Sequence, residues 1–537
     1  MTNNCSKPLR EDRRRTRSYA ELFAGCGGMS LGIESAGFKR AFANELSPMP
    51  AATYAFNLIH NKRPESDNSE SWFTRLYAPE KSGEYKSDPR DYINRPILDC
   101  VVAELKKFDG GIFVGSISQL NQALKKIPRE LLHALNLDAL SGGPPCQSFS
   151  LAGRRNRNDP RNDLPFEFAT CAALLRPKVV IFENVSGILR PFKDIDGKRR
   201  HAWYEIAKAF YSQEYVPICT LAEAQQYGVP QRRPRFLMIA LRQDIAQHAI
   251  GYLDKLPDAA RLDWQSTRNA LDKSVQHFKQ LDNILESGPS EFDWIEPSDD
   301  EWPQMLLPLK RQSIDVECAI DGLAYSGSTK DRAYLDILSS AFNHVLDQDA
   351  LNLSTEDEKK NRANRLHSNL VKARFRVLRL LAKHKNKAVG NNTLQELDQE
   401  DERWLMRQPL IFPKDRSDKP RKPANLSELR GLLRSLESKK HSQRSLIEGQ
   451  IAPAQLSIPD DYAHYAQDRA LTVREMARIQ SFPDWFEFKG KVTTGGDQRA
   501  YEVPRYTQVG NAVPPLMGRQ IAQGVMDFLN LIEENHA

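Results

Sequence analysis

The stretch that decides the fold of this chain is Leu137-Asp138-Ala139-Leu140-Ser141-Gly142-Gly143-Pro144-Pro145-Cys146-Gln147. Its apolar beginning predicts a short buried strand, and the Gly-Gly-Pro-Pro that follows ends the strand and turns the backbone sharply. Cys146 therefore stands on a loop at a strand end, which is the edge where α/β sheets bind ligands. A lone cysteine is most often a small buried apolar residue. The turn and the polar Gln147 and Ser148 beyond it favour an exposed, positioned thiol.

Composition sets the broad class of the protein. Its 537 residues are enough for more than one domain. No apolar run approaches the length of a membrane span, and the polar, basic start lacks the apolar core of a signal peptide. Seven cysteines without metal-like spacing indicate a reducing cytoplasm rather than a disulfide scaffold. A net charge of +6 permits a nucleic-acid partner but does not demonstrate one.

A strand, a glycine turn and a helix open the chain. Residues 19–23 predict the strand, Ala24-Gly25-Cys26-Gly27-Gly28 forms the turn, and apolar spacing through Phe38 predicts the helix. This order begins a nucleotide-binding unit, because glycines let the backbone approach a ligand and a helix N-terminus favours polar groups. The next predicted strand ends at Glu45, where such folds hydrogen-bond a ribose hydroxyl. The ordinary alternative is a solvated glutamate at a strand end.

Further polar residues stand at strand ends later in the chain. A buried strand over 179–182 is followed by Glu183 and Asn184, which could enter the same edge as Cys146. Arg233 and Arg235 precede another apolar strand and alternate along it, so they share a face. Guanidinium groups there suit a base carbonyl or a phosphate. Each of these residues could instead be structural.

Residues 246–466 are rich in charge and carry no recognisable catalytic motif. Leucines at helical spacing from Leu366 to Leu381 alternate with basic residues, which predicts a basic amphipathic helix. Such a helix is most often an ordinary surface helix, and a role on the DNA backbone is the alternative. Beyond the block, Thr472 and Glu475 predict a capping box, with Pro483 ending the helix.

The ordered motifs resemble those of the DNA (cytosine-5) methyltransferases. They are the glycine turn, Pro-Cys-Gln at 145–147, Glu-Asn-Val at 183–185, Gln-Arg-Arg-x-Arg at 231–235, Thr-x-Arg-Glu at 472–475 and Gly-Asn-x-Val-Pro at 510–514. The resemblance implies an α/β fold, a Rossmann-like S-adenosylmethionine-dependent methyltransferase sheet with a separate mixed α/β target recognition domain. It implies a catalytic domain over 1–245 with a polar insertion at 60–110, target recognition over 246–466, and a C-terminal return over 467–537 that completes the catalytic domain.

The same resemblance implies the chemistry. Cys146 would add to C6 of a flipped-out cytosine, Glu183 would offset the charge on the ring, Asn184 would support the loop, Arg235 would hold the O2 carbonyl, and Arg233 would orient nearby groups. The expected pocket for S-adenosylmethionine, and for its product S-adenosylhomocysteine, consists of Phe23, Gly25, Gly27, Glu45, Leu46, Ile117, Pro145, Leu164, Asn511, Ala512 and Val513. Ser116 departs from the family, which usually has an aspartate there that contacts the adenine.

The expected partner is double-stranded DNA, methylated at a specific sequence by a cytoplasmic bacterial monomer that needs neither metal nor membrane. Whether a cognate restriction endonuclease acts separately is left open. The rival readings are a tRNA cytosine-5 methyltransferase of the same fold and a non-catalytic DNA-binding relative. The large variable block argues against the first, and the joint presence of Cys146, Glu183 and Arg235 argues against the second.

Overall fold

The structure is a computed structural model that describes residues 16–59, 74–76, 99–145, 163–193, 199–279, 313–325, 328–345, 355–390, 394, 397–415, 419–438, 440, 442–496, 498 and 502–533. Its strands are β1 Ser18–Leu22, β2 Lys39–Glu45, β3 Thr74–Arg75, β4 Ile112–Val114, β5 Ala139–Gly142, β6 Val179–Val185, β7 Pro191–Lys193, β8 Arg199–His201, β9 Tyr215–Glu223, β10 Gln231–Arg232, β11 Pro234–Arg242, β12 Arg444–Ser445, β13 Ala452–Pro453 and β14 Tyr462–Ala463.

The helices alternate with these strands in the first half of the chain and dominate the second half. They are α1 Gly28–Ser35, α2 Pro48–Leu58, α3 Asp99–Leu105, α4 Ile117–Lys125, α5 Arg129–Ala134, α6 Leu164–Leu175, α7 Ala202–Tyr211, α8 Gln243–Leu253, α9 Asp258–Lys279, α10 Val316–Ala324, α11 Arg332–Phe342, α12 Glu356–Arg362, α13 Asn369–Lys385, α14 Gln399–Leu405, α15 Leu426–Ser435, α16 Val473–Ile479, α17 Arg505–Asn511 and α18 Pro515–Glu533.

Eight strands form one sheet in the order β3-β4-β2-β1-β5-β6-β11-β9. Neighbouring strands are parallel except at β11, which is antiparallel to both β6 and β9. The strand order reverses between β1 and β5, and a ligand crevice forms beyond the carboxyl ends of the strands at such a point. The α/β fold expected from the sequence is therefore confirmed, and β3 shows that part of the 60–110 insertion joins the sheet as an edge strand.

Alternating residues of the central strands face two different cores. Tyr19 and Ile181 belong to the core on one face of the sheet, whereas Ala20 and Val180 belong to the core on the other. Both faces are covered by helices, which is why these strands are apolar on both sides rather than alternating with polar residues.

The C-terminal return packs against the opening helix. A Cβ on Gly32 of α1 would lie 2.5 Å from the Arg519 nitrogen and 2.6 Å from the Pro515 oxygen of α18. Only glycine permits that approach, and it brings the segment before α18 next to the glycine turn. The glycine turn and the segment before α18, which are distant in sequence, thus lie together at one edge of the sheet.

The described residues of 246–466 form two main packing groups and a small further cluster around Phe375 and Ala463. Helices α8 to α11 contribute side chains such as Leu253, Leu271 and Leu338 to a core of the sheet. A separate core is formed within α13, α14, α15 and the residues around them, between Leu370 and Ile447. The described strands of the block are only two residues long. The assignment of 246–466 as a recognition domain stays a proposal, and this packing favours a narrower unit with its own core over about 369–447.

Two further observations concern helices. The capping box expected at Thr472 is present, with Glu475 as its partner. The helix ends at Ile479 rather than continuing to Pro483, because Ser481 adopts a φ of 65° and turns the chain first. Within the described ranges, every helix is too short or too polar to cross a bilayer.

Candidate active site

The carboxyl ends of β1, β2, β4, β5 and β6 meet at one edge of the sheet. The candidate residues directly follow these strands. Each strand ends in a turn, and the side chains after the turn lie outside the sheet, where a ligand can bind. Within the described ranges, this edge brings together polar residues that are distant in sequence.

Glu183 and Arg235 form the central pair of the edge. Antiparallel pairing sets Leu237 opposite Glu183 and Arg235 opposite Val185. The Arg235 Nε lies 2.8 Å from Glu183 Oε1, and both side chains are about nine-tenths buried. Burial raises the pKa of Glu183, and the neighbouring Arg235 and Arg233 oppose the rise. A carboxyl group with a raised pKa beside a guanidinium can hold a proton and deliver it.

The loop that leads to Cys146 is fixed from β6. The Asn184 amide donates to the Pro144 carbonyl at 2.9 Å, and both groups are buried. A Cβ on Gly143 would lie 2.7 Å from Glu183 Oε2, so a larger residue there would have to displace the Glu183 carboxylate. Asn184 thus supports the loop, as its position implies. Cys146 itself lies outside the described residues, one residue beyond the described and exposed Pro145.

Glu45 ends β2 beside the glycine turn. Its Oε2 accepts from the Gly25 backbone N–H at 2.9 Å, and its Oε1 accepts from the Ser47 N–H at 2.8 Å. Burial raises the pKa of the carboxyl group, and these N–H donors counter the rise. Each oxygen accepts one backbone hydrogen bond, which leaves acceptor capacity for a ligand hydroxyl.

Other expected pocket residues surround the same edge. Phe23 follows β1 with a φ of 54°, the kind of backbone strain that gathers at ligand sites. Gly27 is the N-cap of α1, and Ile117 begins α4. Leu46 and Leu164 are half-buried after β2 and at the start of α6. Ser116 is the N-cap of α4, and its hydroxyl accepts from the Gln119 N–H at 3.1 Å.

Arg233 is buried, and its hydrogen bonds go to backbone carbonyl groups. Its guanidinium donates to the Gln455 carbonyl at 3.0 Å, the Gly510 carbonyl at 2.7 Å and the Ala512 carbonyl at 3.2 Å. Asn511, Ala512 and Val513 are therefore held beside the arginine strand, and they are exposed or half-buried at the end of α17. These bonds tie Arg233 to the segment that ends α17, and its orienting role stays a prediction.

The glutamines of this junction were not singled out from the sequence. Gln231 donates to the Gln480 side chain at 2.7 Å and accepts from the Gln455 N–H at 2.9 Å. Gln480 in turn donates to the Val509 carbonyl at 2.8 Å. The signal available was that Gln231 opens the arginine motif, but its partners lie more than 200 residues away.

The basic helix α13 is largely occupied by contacts within the protein. Arg374 is buried and donates to the Leu436 carbonyl at 2.7 Å. Arg376 and Arg379 both bind Asp468, at 2.6 and 2.8 Å. The ordinary reading of this helix as a structural element is thus favoured over a grip on phosphates.

Cys26 behaves as a structural residue of the glycine turn. It is buried, its thiol contacts the Gln508 carbonyl at 3.7 Å, and burial raises its pKa far above the ordinary value. A thiol in that state does not ionise at neutral pH and is a poor nucleophile.

Comparison with known proteins identifies the family. The model of the C-5 cytosine-specific DNA methylases matches residues 18–78 and 114–526. The chain belongs to this family of DNA (cytosine-5-)-methyltransferases. The Type II methyltransferase M.DdeI of Desulfomicrobium norvegicum is 23% identical over 96% of this chain and 91% of its own length. The DNA (cytosine-5-)-methyltransferase M.ApeKI of Aeropyrum pernix is 26% identical over 96% of this chain and 99% of its own length.

Among solved structures, a DNA modification methyltransferase encoded within an E. coli prophage aligns with 96% of this methylase at 18% identity and a TM-score of 0.48. The family implies an S-adenosylmethionine-dependent enzyme with a DNA substrate. The residues at the edge fit that cofactor. A Cβ built on Gly25 meets nothing within 4 Å, so the turn is open, and the partly exposed Glu45 carboxylate stands beside it.

Proposed function

We propose that this methylase transfers a methyl group to C5 of a cytosine that is flipped out of a specific duplex DNA sequence, through a covalent bond between Cys146 and C6. The observation that carries the proposal is the buried Glu183–Arg235 pair beside the loop that leads to Cys146. A proton-holding carboxyl group and a carbonyl-binding guanidinium at one point match the N3 and O2 edge of cytosine. We expect the enzyme to act as a cytoplasmic monomer, without a metal.

The chemistry begins with the thiolate. Cys146 adds to C6 and forms a C–S bond, and the displaced π electrons move onto the N3 and O2 side of the ring. Arg235 binds O2, and Glu183 gives a proton to N3, so the ring does not carry a full negative charge. C5 becomes enamine-like and would take the methyl group of S-adenosylmethionine, whose sulfur–methyl bond would break to leave S-adenosylhomocysteine. A base then removes the C5 proton, the C5–C6 double bond forms again, Cys146 leaves as thiolate, and N3 returns its proton to Glu183.

The cofactor supplies the electrophilic methyl group. We propose that Glu45 binds its ribose hydroxyls and that Gly25 and Gly27 offer an open backbone. The remaining contacts would come from Phe23, Leu46, Ile117, Pro145, Leu164, Asn511, Ala512 and Val513. A stacked base cannot reach this edge, which is why the target cytosine has to leave the helix. The choice of sequence falls to the 246–466 block, with the core over about 369–447 as its centre.

Transfer of labelled methyl groups tests the proposal. Wild-type protein should label duplex DNA and not tRNA, and Cys146→Ser should lower the rate by at least about a thousandfold, since a serine hydroxyl is barely ionised. Cys318→Ser is the matched control, because that thiol is free, partly exposed and on α10. The wild type should also form a covalent complex with DNA that contains 5-fluorocytosine.

Each rival has its own outcome. Labelling of tRNA in preference to DNA would assign the RNA substrate instead. DNA binding without any transfer would make the protein a non-catalytic relative. Active Cys146→Ser protein would refute the covalent mechanism.

A further inference from the structure

One leucine in the loop between α12 and α13 is exposed to solvent, whereas the residues on either side of it contact other parts of the protein. Leu366 is fully exposed, at 100%, whereas the residues on either side of it are anchored. The Arg365 guanidinium lies 2.5 Å from Asp460 Oδ1. The His367 ring accepts from the Ala470 N–H at 3.2 Å and packs edge-on against Phe375 at 5.2 Å.

The start of the loop is anchored as well. On α12, Glu358 accepts from the buried Arg474 at 2.9 Å, and the Asp357 carbonyl accepts from the buried Arg505 at 2.8 Å. Arg505 also donates to Asn361 at 2.9 Å. At the other end, Ser368 caps α13. Residues 363–368 therefore form a loop that is anchored at both ends and exposes one large apolar side chain, that of Leu366.

The charge around this tip indicates the kind of partner. Arg374, Arg376 and Arg379 of α13 are occupied by contacts within the protein, so the cations that matter at this tip are those just before the loop. Lys359, Lys360 and Arg362 precede the loop and are about half exposed. Lys359 pairs with the exposed Glu356, whereas the mostly buried Asp357 and Glu358 also bind the buried Arg505 and Arg474, so these three cations can turn to a phosphate without leaving a buried carboxylate unpaired. An apolar tip bordered by cations suits stacked bases between phosphates.

The anchors also locate the loop. Asp460 is five residues from Gln455, whose carbonyl binds Arg233 at the catalytic edge, and five residues span at most about 17 Å. Immediately after the loop, α13 begins the separate core that we propose reads the sequence. The loop is thus linked through Asp460 to the segment that supports the candidate active site and through Ser368 to that core, and we expect a duplex bound to both to approach it.

We propose that Leu366 is a wedge that enters the base stack at the target cytosine and holds the duplex open while the base is in the site. This rests on the proposed function. Extruding a base costs stacking and pairing free energy, and an inserted apolar side chain replaces part of the lost stacking. The wedge is needed only when the target is paired, and this dependence separates it from a simple contact.

The test compares two duplexes. Bisulfite sequencing of a plasmid methylated by the wild type gives the target site. Oligonucleotide duplexes of that site then carry the target cytosine opposite either guanine or an abasic nucleotide. Leu366→Ala should lower kcat/KM by at least about tenfold on the paired duplex and by less than about twofold on the abasic one, where extrusion costs little.

Leu366→Met should stay close to the wild type on both duplexes, because it keeps an apolar side chain of similar size. Leu262→Ala is the matched control, since Leu262 is 76% exposed on α9, which packs on the sheet. All variants should keep the wild-type melting temperature and affinity for S-adenosylhomocysteine.

Three outcomes would overturn the wedge. Leu366→Ala could behave like Leu262→Ala, or it could lose the same factor on both duplexes, which would make Leu366 an ordinary contact. A wild-type protein that methylates no DNA would remove the proposed function and the wedge together.

Discussion

Two arginine-rich regions of this molecule meet carboxylates in different ways. At the catalytic edge, one guanidinium of Arg235 faces one buried carboxyl group, Glu183, whose pKa is raised by burial. On α13, Arg376 and Arg379 share one carboxylate, Asp468, on the adjoining 464–469 segment. In the proposed function, Glu183 of the first pair exchanges a proton and Arg235 binds a substrate carbonyl, whereas the second set of residues makes a contact within the protein. The same residue types therefore indicate chemistry only where their surroundings leave them able to bind a substrate or transfer a proton.

Removing the guanidinium at the catalytic edge should have the largest effect. Arg235→Gln is expected to lower kcat/KM by roughly 10² to 10³, as loss of one charged donor to a developing oxyanion does. Since Arg235 lowers the pKa of Glu183, its loss should raise that pKa further. The fall of activity at alkaline pH, where Glu183 loses its proton, should then move to higher pH.

The neighbouring Arg232→Gln is the control, because Arg232 is exposed and precedes the paired strand. It should change kcat/KM by less than about threefold. Equal losses in both variants would contradict the special role of Arg235, and a pH profile displaced to lower pH would contradict the use of protonated Glu183.

Disrupting the arginine pair of α13 should affect stability rather than chemistry. The double variant Arg376→Gln and Arg379→Gln leaves Asp468 partly buried without cations, which should lower the free energy of unfolding by about 1 to 3 kcal/mol. Chemical denaturation measures this loss. The salt dependence of DNA binding should keep its slope, because these arginines are already occupied.

Lys383→Gln serves as the comparison, since Lys383 is 73% exposed and lies 3.3 Å from the half-exposed Glu448. We expect it to cost less than about 0.5 kcal/mol. If the salt dependence of DNA binding were clearly weaker in the double variant, the result would show that α13 contacts DNA phosphates.

The smallest effect is expected at the position that departs from the family. Ser116→Asp should tighten binding of S-adenosylhomocysteine by about 1 kcal/mol, if a carboxylate there reaches the adenine. Stability should hardly change, because aspartate caps a helix as well as serine does. Titration calorimetry measures the affinity, and Ser116→Ala, which loses the cap, should lower stability by about 1 kcal/mol. An unchanged dissociation constant would mean that another residue contacts the adenine.

Much of the sheet could be predicted because its signals are local. Apolar runs stopped by Gly, Pro or a polar residue located β1, β2, β5 and β6, and side-chain alternation decides which face of a strand a residue takes. The capping box at Thr472 depends on two residues three apart, so it too was readable. The motif order was enough to identify the family.

The division of residues 246–466 into separate packing groups could not be predicted from the sequence. Helices α8 to α11 and the helices of the separate core are both amphipathic, and amphipathicity states that a face is buried without stating against what. The sequence pattern therefore marked one variable block where the structure has two main packing groups.

The sequence alone was enough to predict which residues end the strands and which polar side chains stand at those ends. Only the tertiary structure decided their partners. Arg233 binds a carbonyl 277 residues away, and Arg376 binds a carboxylate 92 residues away. The physical reason is that backbone conformation and burial follow from neighbours along the chain, whereas a charged side chain takes whichever partner the packing of distant elements brings within about 3 Å.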